Sequence, residues 1–280
     1  MNVLGRSGLP VSRFGLGLAA LGRPGYINLG HADDLHRDYR VGAMREAAAA
    51  VLDAAHAGGI RYVDAARSYG RAEAFLAAWL ARRGHPPGSI TIGSKWGYAY
   101  TAEWRVDAER HEIKDHSRGV FARQLDESRA LLGSHLQLYQ IHSATLDSGV
   151  LDDADLLRAL AVARDGGLAI GLSLSGPRQA DTLRRALAVR IDGAPLFSTV
   201  QATWNLIERS AGEALRATHD AGLGVIVKEG LANGRLTARN RDPDQRQRLQ
   251  RAAERAGASI DALALAAVLA QPFADVVLSG

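Results

Sequence analysis

An α/β fold closed as a (β/α)8 TIM barrel, preceded by an N-terminal β-hairpin, is what this 280-residue sequence predicts, on three observations. One unit recurs along the chain: a short β-rich run, a polar loop, then an Ala/Leu/Arg segment of helical period. Strand and helix alternate throughout, which argues for a parallel sheet. Eight such runs at this length favour a closed barrel over an open doubly wound sheet.

The first element is the hairpin, with Val3-Leu4 and Val11-Ser12 flanking a Gly-rich turn. Strands are expected at Phe14–Leu18, Tyr62–Ala65, Ile90–Lys95, Leu138–His142, Ala169–Leu174, Thr199–Thr203, Gly224–Lys228 and Asp275–Ser279. Between them, Met44, Ala47, Ala48, Val51, Leu52 and Ala55 mark one apolar helical stripe. Phe75, Leu76, Trp79 and Leu80 mark a second; Leu156, Leu157 and Leu160 mark a third, with Asp152 or Asp153 placed to cap its start. Gly58-Gly59, Gly84, Gly166-Gly167 and Gly222 stand just past helix ends, where a left-handed residue is wanted. With no Pro/Gly/Ser linker and no shift of composition, residues 1–280 are expected to form one domain.

Composition excludes several chemistries. Zero cysteine removes disulfides, thiolate nucleophiles and Cys-ligated metal sites, and is compatible with a cytoplasmic protein. Residues 1–6 lack the apolar core of a signal peptide, and the Ile260–Ala270 stretch is too short to span a bilayer, so no membrane association is expected. The net charge of +4 names no partner. Arginines outnumber acids seven to three between Arg235 and Arg255, but no aromatic residues interleave with them. That segment therefore reads as a solvated helix face or a loop meeting a ligand phosphate rather than a nucleic-acid surface.

Active-site groups of such a barrel come from the C-terminal ends of its strands. Those ends carry Asp64, Lys95, His142, Ser173, Gln201 and Lys228. Four of the six can ionise, and four converging on one mouth are costly unless they pair with each other or a ligand. Lys95 is the sharpest signal, because only three of the 34 basic residues are lysine. Asp64 on the adjacent strand is its natural counter-ion. The turn after Asp64 can return Tyr69 over the mouth, where a nearby ammonium would lower the phenol's pKa and ease proton donation.

Taken together these residues resemble an aldo-keto reductase. Tyr62-Val63-Asp64-Ala65-Ala66-Arg67-Ser68-Tyr69-Gly70, with Glu73 and Leu76 behind it, is similar to the family's Asp…Tyr-Gly…Glu…Leu signature. Ile92–Gly97 resembles its lysine strand and Leu138–His142 its histidine strand. Gly171-Leu172-Ser173, Gln201–Leu206 and Gly224–Lys228 follow in family order, so the likeness runs from about Val3 to Gly280.

The resemblance implies an oxidoreductase that moves hydride between NADP, or alternatively NAD, and a small aldehyde, ketone or aldose. Tyr69 would be the general acid, Lys95 and Asp64 would tune it, and His142 would orient the carbonyl. Ser173 and Gln201 match positions that hold the nicotinamide carboxamide; Gly17 and Leu18 match a segment beside the cofactor. Leu231, Gly234 and Arg235 fall in the loop that covers the pyrophosphate. The family does not use the G-x-G-x-x-G fingerprint, which is missing here too. Leu174 replaces a usual Asn, Trp204 a usual Tyr, and Lys228 a Tyr or Arg beside the nicotinamide. A cofactor-binding sensor without turnover is the alternative reading, against which the intact tetrad argues.

Two loops are expected to shape the substrate pocket. Gly25–Tyr39 is one; Gly97–Ser117 is the other, whose Tyr98 and Trp104, with Trp96, would suit a sugar ring or an apolar carbonyl compound. His31, His36, His111 and His116 have no diagnostic spacing, and no metal is expected. The chain stops on its eighth strand at Leu278-Ser279-Gly280, where the family normally continues with a loop and a helix. An eighth helix is thus expected to be missing from this sequence, along with the residues that decide NADP against NAD. Oligomeric state is left unset.

Overall fold

The computed structural model describes residues 1–279; Gly280 lies outside the described residues. Eight parallel strands form a closed barrel: β1 (Phe14–Gly17), β2 (Tyr62–Asp64), β3 (Thr91–Trp96), β4 (Leu136–Ala144), β5 (Ala169–Leu174), β6 (Thr199–Thr203), β7 (Gly224–Lys228) and β8 (Val276–Ser279). Each strand pairs with the next, and β8 closes on β1 through Val277↔Phe14 and Ser279↔Leu16. Every expected strand is present to within two residues.

The connecting helices are α1 (Val41–Ala57), α2 (Ala72–Arg83), α3 (Arg118–Leu132), α4 (Ala154–Asp165), α5 (Gln179–Leu187) and α6 (Gly212–Asp220), with α7 (Pro243–Arg255) and α8 (Ile260–Leu269) both between β7 and β8. Asp153 caps α4 by accepting from the backbone N–H of Asp155 and Leu156. The α2 and α4 stripes are buried as the spacing predicts. On α1 the buried line runs through Met44, Ala48 and Leu52, one residue per turn, which leaves Ala47 and Val51 exposed beside it. No helix of the described residues is long and apolar enough to cross a membrane.

Side chains alternate across a strand, and this decides what faces the barrel axis. Tyr62 and Asp64, Gly93 and Lys95, Leu138, Gln140 and His142, Gly171 and Ser173 share that inner face by their two-residue spacing. Their chemistry is layered. At the N-terminal end, Tyr62, Leu138, Ile226 and Val276 pack with Leu4 and Val11 of the hairpin. A Cβ on Gly15 would stand 2.7 Å from the Tyr62 ring, and one on Gly93 2.6 Å from its hydroxyl. Both strands carry glycine there because the tyrosine fills that layer.

The hairpin (Asn2–Val3 with Pro10–Val11) closes this end as a plug. It is stitched to the barrel by Thr91 Oγ1, which donates to the Pro10 carbonyl at 2.6 Å, and by Arg61 N–H, which donates to Ser12 Oγ at 2.7 Å. Leu4 is wholly buried while its neighbour Val3 is exposed. Leu4→Ala should therefore cost about 2–5 kcal/mol of stability, read from urea unfolding midpoints, whereas Val3→Ala should stay within about 0.5 kcal/mol of the parent.

Candidate active site

At the opposite end of the barrel, above the apolar layer, lies a charged one. The Lys95 ammonium donates to Asp64 Oδ2 and, at 2.9 Å, to the Ala65 carbonyl. Asp64 Oδ1 also accepts from Gln201 Nε2 at 2.9 Å, Tyr62 OH at 3.2 Å and Gln140 Nε2 at 3.4 Å. Both ion-pair partners are buried. One carboxylate thus gathers donors from β2, β3, β4 and β6.

Tyr69 returns over this layer as its turn predicts. The turn is held by Ala65 N–H to Gly93 O (2.8 Å) and Arg67 N–H to Lys95 O (2.9 Å). Beneath it, buried Glu73 accepts from Ser94 and Ser128, at 2.6 and 2.7 Å, and pairs with Arg67. The loops after β1 and β2 touch at Gly22 and Gly70: a Cβ on Gly22 would lie 2.2 Å from the Tyr69 carbonyl. Lys95 Nζ stands 4.9 Å from the Tyr69 ring centroid, and the His142 ring meets it edge-on at 5.5 Å. Asp64, Tyr69, Lys95 and His142 are therefore brought together.

The electrostatics are set mainly by burial. It pushes His142 well below the usual 6.5, reinforced by Lys95, Lys228 and Arg23, so the imidazole is neutral at physiological pH. Burial likewise holds the Tyr69 phenol well above 10, and Asp64 adds to this. The sequence points the other way for Tyr69, toward a phenol lowered by an ammonium. Desolvation and the carboxylate outweigh that attraction, and the cation that opposes them most is Arg23.

A cavity of about 650 Å³ opens over these groups and runs to the β7 loop. Of the residues expected near a cofactor, Gly17, Ser173, Gln201, Lys228, Leu231 and Gly234 line it. Leu18 and Arg235 do not. Leu18 follows Gly17 on the strand and its buried side chain packs in the core outside the barrel. Arg235 is exposed and turns back to the Ala232 carbonyl at 3.1 Å; on this side of the cavity the lining guanidinium is that of Arg239, which pairs with Asp34 across the mouth. Lys228 donates to Thr203 Oγ1 (2.8 Å) and Glu229 (3.0 Å), and Leu174 is wholly buried.

The expected aromatic subsite is not formed by Trp96, Tyr98 and Trp104. Alternation turns Trp96 away from Lys95 and out against Phe121 of α3, ring centroids 5.0 Å apart. Trp104 donates to the Tyr39 carbonyl at 2.6 Å and packs on Phe75. Tyr98 lies edge-on to His142 at 4.9 Å but does not line the cavity. Its loop forms an antiparallel ribbon, Tyr98–Tyr100 with Glu112–Lys114. Arg23, Tyr26 and Glu112 occupy the wall instead. Tyr26 and Glu112 belong to the two loops expected to shape the pocket; Arg23 lies just before the first of them and is one arginine among 31, so composition carries no signal for it. His31 bonds the Ala20 carbonyl and His116 the His142 carbonyl, at 2.7 and 2.8 Å; among the described residues no group of three His, Asp or Glu is placed to hold a metal.

The sequence model of the aldo/keto reductase family matches residues 33–280, and the chain belongs to that family. It is 25% identical over 237 residues to the aldo-keto reductase ausK of Aspergillus calidoustus; this covers 83% of the chain but only 56% of that relative. Among solved structures it resembles the holo form of an aldo-keto reductase from Bacillus halodurans (TM-score 0.71, 21% identity, covering 99% of this chain and 85% of the other). It also resembles a glycerol dehydrogenase from Gluconobacter oxydans (TM-score 0.68, 24% identity, 96% and 83%).

Two outcomes follow. Asp64→Asn leaves the buried ammonium without its counter-charge and should cost about 3–5 kcal/mol in urea unfolding. Neutralising the exposed Asp34–Arg239 pair should change stability by less than about 1 kcal/mol. For His142, the unfolded imidazole binds a proton as pH falls below 6.5 while the native one does not. Stability should therefore drop with acidification from that point, and His142→Gln should remove that part of the drop; NMR should show the native imidazole neutral well below pH 6.5.

Proposed function

We propose that this protein transfers hydride between a nicotinamide dinucleotide, NADP or alternatively NAD, and the carbonyl carbon of a small aldehyde, ketone or aldose, with Tyr69 as the general acid. The observation that carries the reading is the convergence of Asp64, Tyr69 and His142 on one cavity, with Lys95 buried against Asp64.

The cavity residues fit a dinucleotide. Ser173 Oγ accepts from Ser143 N–H at 2.8 Å, so its own proton is free for a carboxamide oxygen. Gln201 gives its Nε2 to Asp64, and its Oε1 has no partner among the described residues. Gly17 offers an unobstructed wall, since a Cβ there would meet nothing nearer than 3.8 Å. Arg239 and the Leu231–Gly234 turn would hold the phosphates, and Lys228 would stand beside the nicotinamide. When bound, the reduced nicotinamide supplies the hydride.

The rest is done by the chain. Tyr69, held protonated at neutral pH by burial, is in the state needed to give its proton to a developing alkoxide. Neutral His142 beside it can donate one hydrogen bond to the carbonyl oxygen and fix its approach. Lys95 holds positive charge under the phenol ring. The Gluconobacter relative, a glycerol dehydrogenase, supports keeping polyols among the candidate substrates in the oxidative direction.

Fluorescence titration with NADPH and NADH should show binding, and absorbance loss with a panel of aldehydes should show turnover. Tyr69→Phe should reduce turnover by about a hundredfold or more while dinucleotide binding is retained. Absence of binding of both dinucleotides would overturn the reading; binding without oxidation across the panel would point to a sensor.

A further inference from the structure

Two residues outside the tetrad, Arg23 and Glu112, line the cavity beside Tyr69. Arg23, from the loop after β1, has a side chain more than nine-tenths buried. Its guanidinium carbon lies 5.3 Å from the Tyr69 ring centroid and 4.9 Å from that of Tyr26. It donates to Glu112 Oε2 at 3.0 Å and to the Ser68 carbonyl, next to Tyr69, at 3.4 Å, while its buried Nε has no partner. Glu112 belongs to the second strand of the ribbon and is part-exposed. A buried guanidinium over a phenol, restrained by a carboxylate on a separate surface element, is more than a packing contact requires.

The geometry points to Arg23 and Glu112 as an opposed pair of positioning residues for Tyr69, in which the ribbon carboxylate sets how much of the guanidinium's positive charge the phenol feels. The signs are fixed by Coulomb's law. Arg23 favours the phenolate; Glu112 disfavours it directly, and also by drawing the guanidinium toward itself. Other charged and titratable groups face the same phenol. They are Asp64 and Tyr62 from β2, Lys95 from β3, His142 from β4, Tyr26 from the first loop and Glu229 after β7. Of these, Asp64 and Lys95 are locked to each other at the floor. Arg23, on the loop after β1, and Glu112, on the ribbon, stand apart from that floor, and both line the cavity.

The inference rests on Tyr69 as the proton donor for its kinetic meaning, but its test needs neither dinucleotide nor substrate. Difluorotyrosine, whose phenol titrates lower than that of tyrosine, is placed at position 69 of the full chain and followed by 19F NMR against pH. Arg23→Gln should raise the midpoint by about one pH unit. Glu112→Gln should lower it. The double variant should lie between the two single variants and above the parent, because without the guanidinium only the weaker direct effect of the carboxylate is removed, and Arg23→Lys, which keeps the charge, should move it less than Arg23→Gln. Should Arg23→Gln not fold, Glu112→Gln and Glu112→Ala must still each lower the midpoint. Unmoved midpoints, movement of Arg23→Gln and Glu112→Gln in the same direction, or an Arg23→Lys shift equal to that of Arg23→Gln would overturn the proposal. A chain that titrates as expected but never oxidises NADPH would instead count against the reductase reading alone.

Discussion

The ion pair between Asp64 and Lys95 is the interaction on which the remaining structure depends. Two opposite charges sit where water does not reach them, and their attraction offsets the loss of hydration only if the other polar valences are met. They are met here by Tyr62, Gln140, Gln201 and the Ala65 carbonyl. With Lys95 itself, the donors to this carboxylate come from four strands, so satisfying it fixes the mutual register of half the barrel. The apolar plug formed by Leu4, Tyr62, Leu138, Ile226 and Val276 seals this layer from below. Stability and site geometry are in this sense one problem with one solution.

From that floor the charges of the site are distributed upward with alternating consequences. His142 is kept neutral by desolvation and by surrounding cations, and Tyr69 is kept protonated by desolvation and by Asp64. A neutral imidazole and a protonated phenol can both offer hydrogen bonds to one oxygen without placing two full charges against it. This is the state expected of a site that stabilises negative charge only as it develops. Above them, Leu29 N–H donates to the Asn233 carbonyl at 3.3 Å and Arg239 pairs with Asp34, joining the loops after β1 and β7 over the cavity. The Arg239–Asp34 pair is exposed and individually weak.

The barrel was legible because its signal is local and repeated. Strand ends, apolar stripes and left-handed glycines are each decided by neighbours a few residues away, and all eight strands lie within two residues of their expected bounds. The tetrad was legible because lysine is rare in an arginine-rich chain and because strand-end polar groups have few structural reasons to be there. Side-chain direction was harder. Lys95 and Trp96 are adjacent, yet one faces the axis and the other α3; Gly17 and Leu18 divide in the same way. Naming the strand end without its phase places two neighbours in a site that admits one.

Sequence alone determined the alternating architecture, which is encoded in periodicity and spacing, and the chain order of Asp64, Tyr69, Lys95 and His142, whose motifs carry the family resemblance. Only the tertiary structure decided which loop residues meet the constellation. Arg23 and Glu112 are 89 positions apart and Arg239 and Asp34 are 205 apart. No local pattern relates such pairs; closure of the barrel brings their loops to one mouth. The direction of the Tyr69 pKa belongs there too, because desolvation depends on everything packed around the phenol rather than on its sequence neighbours.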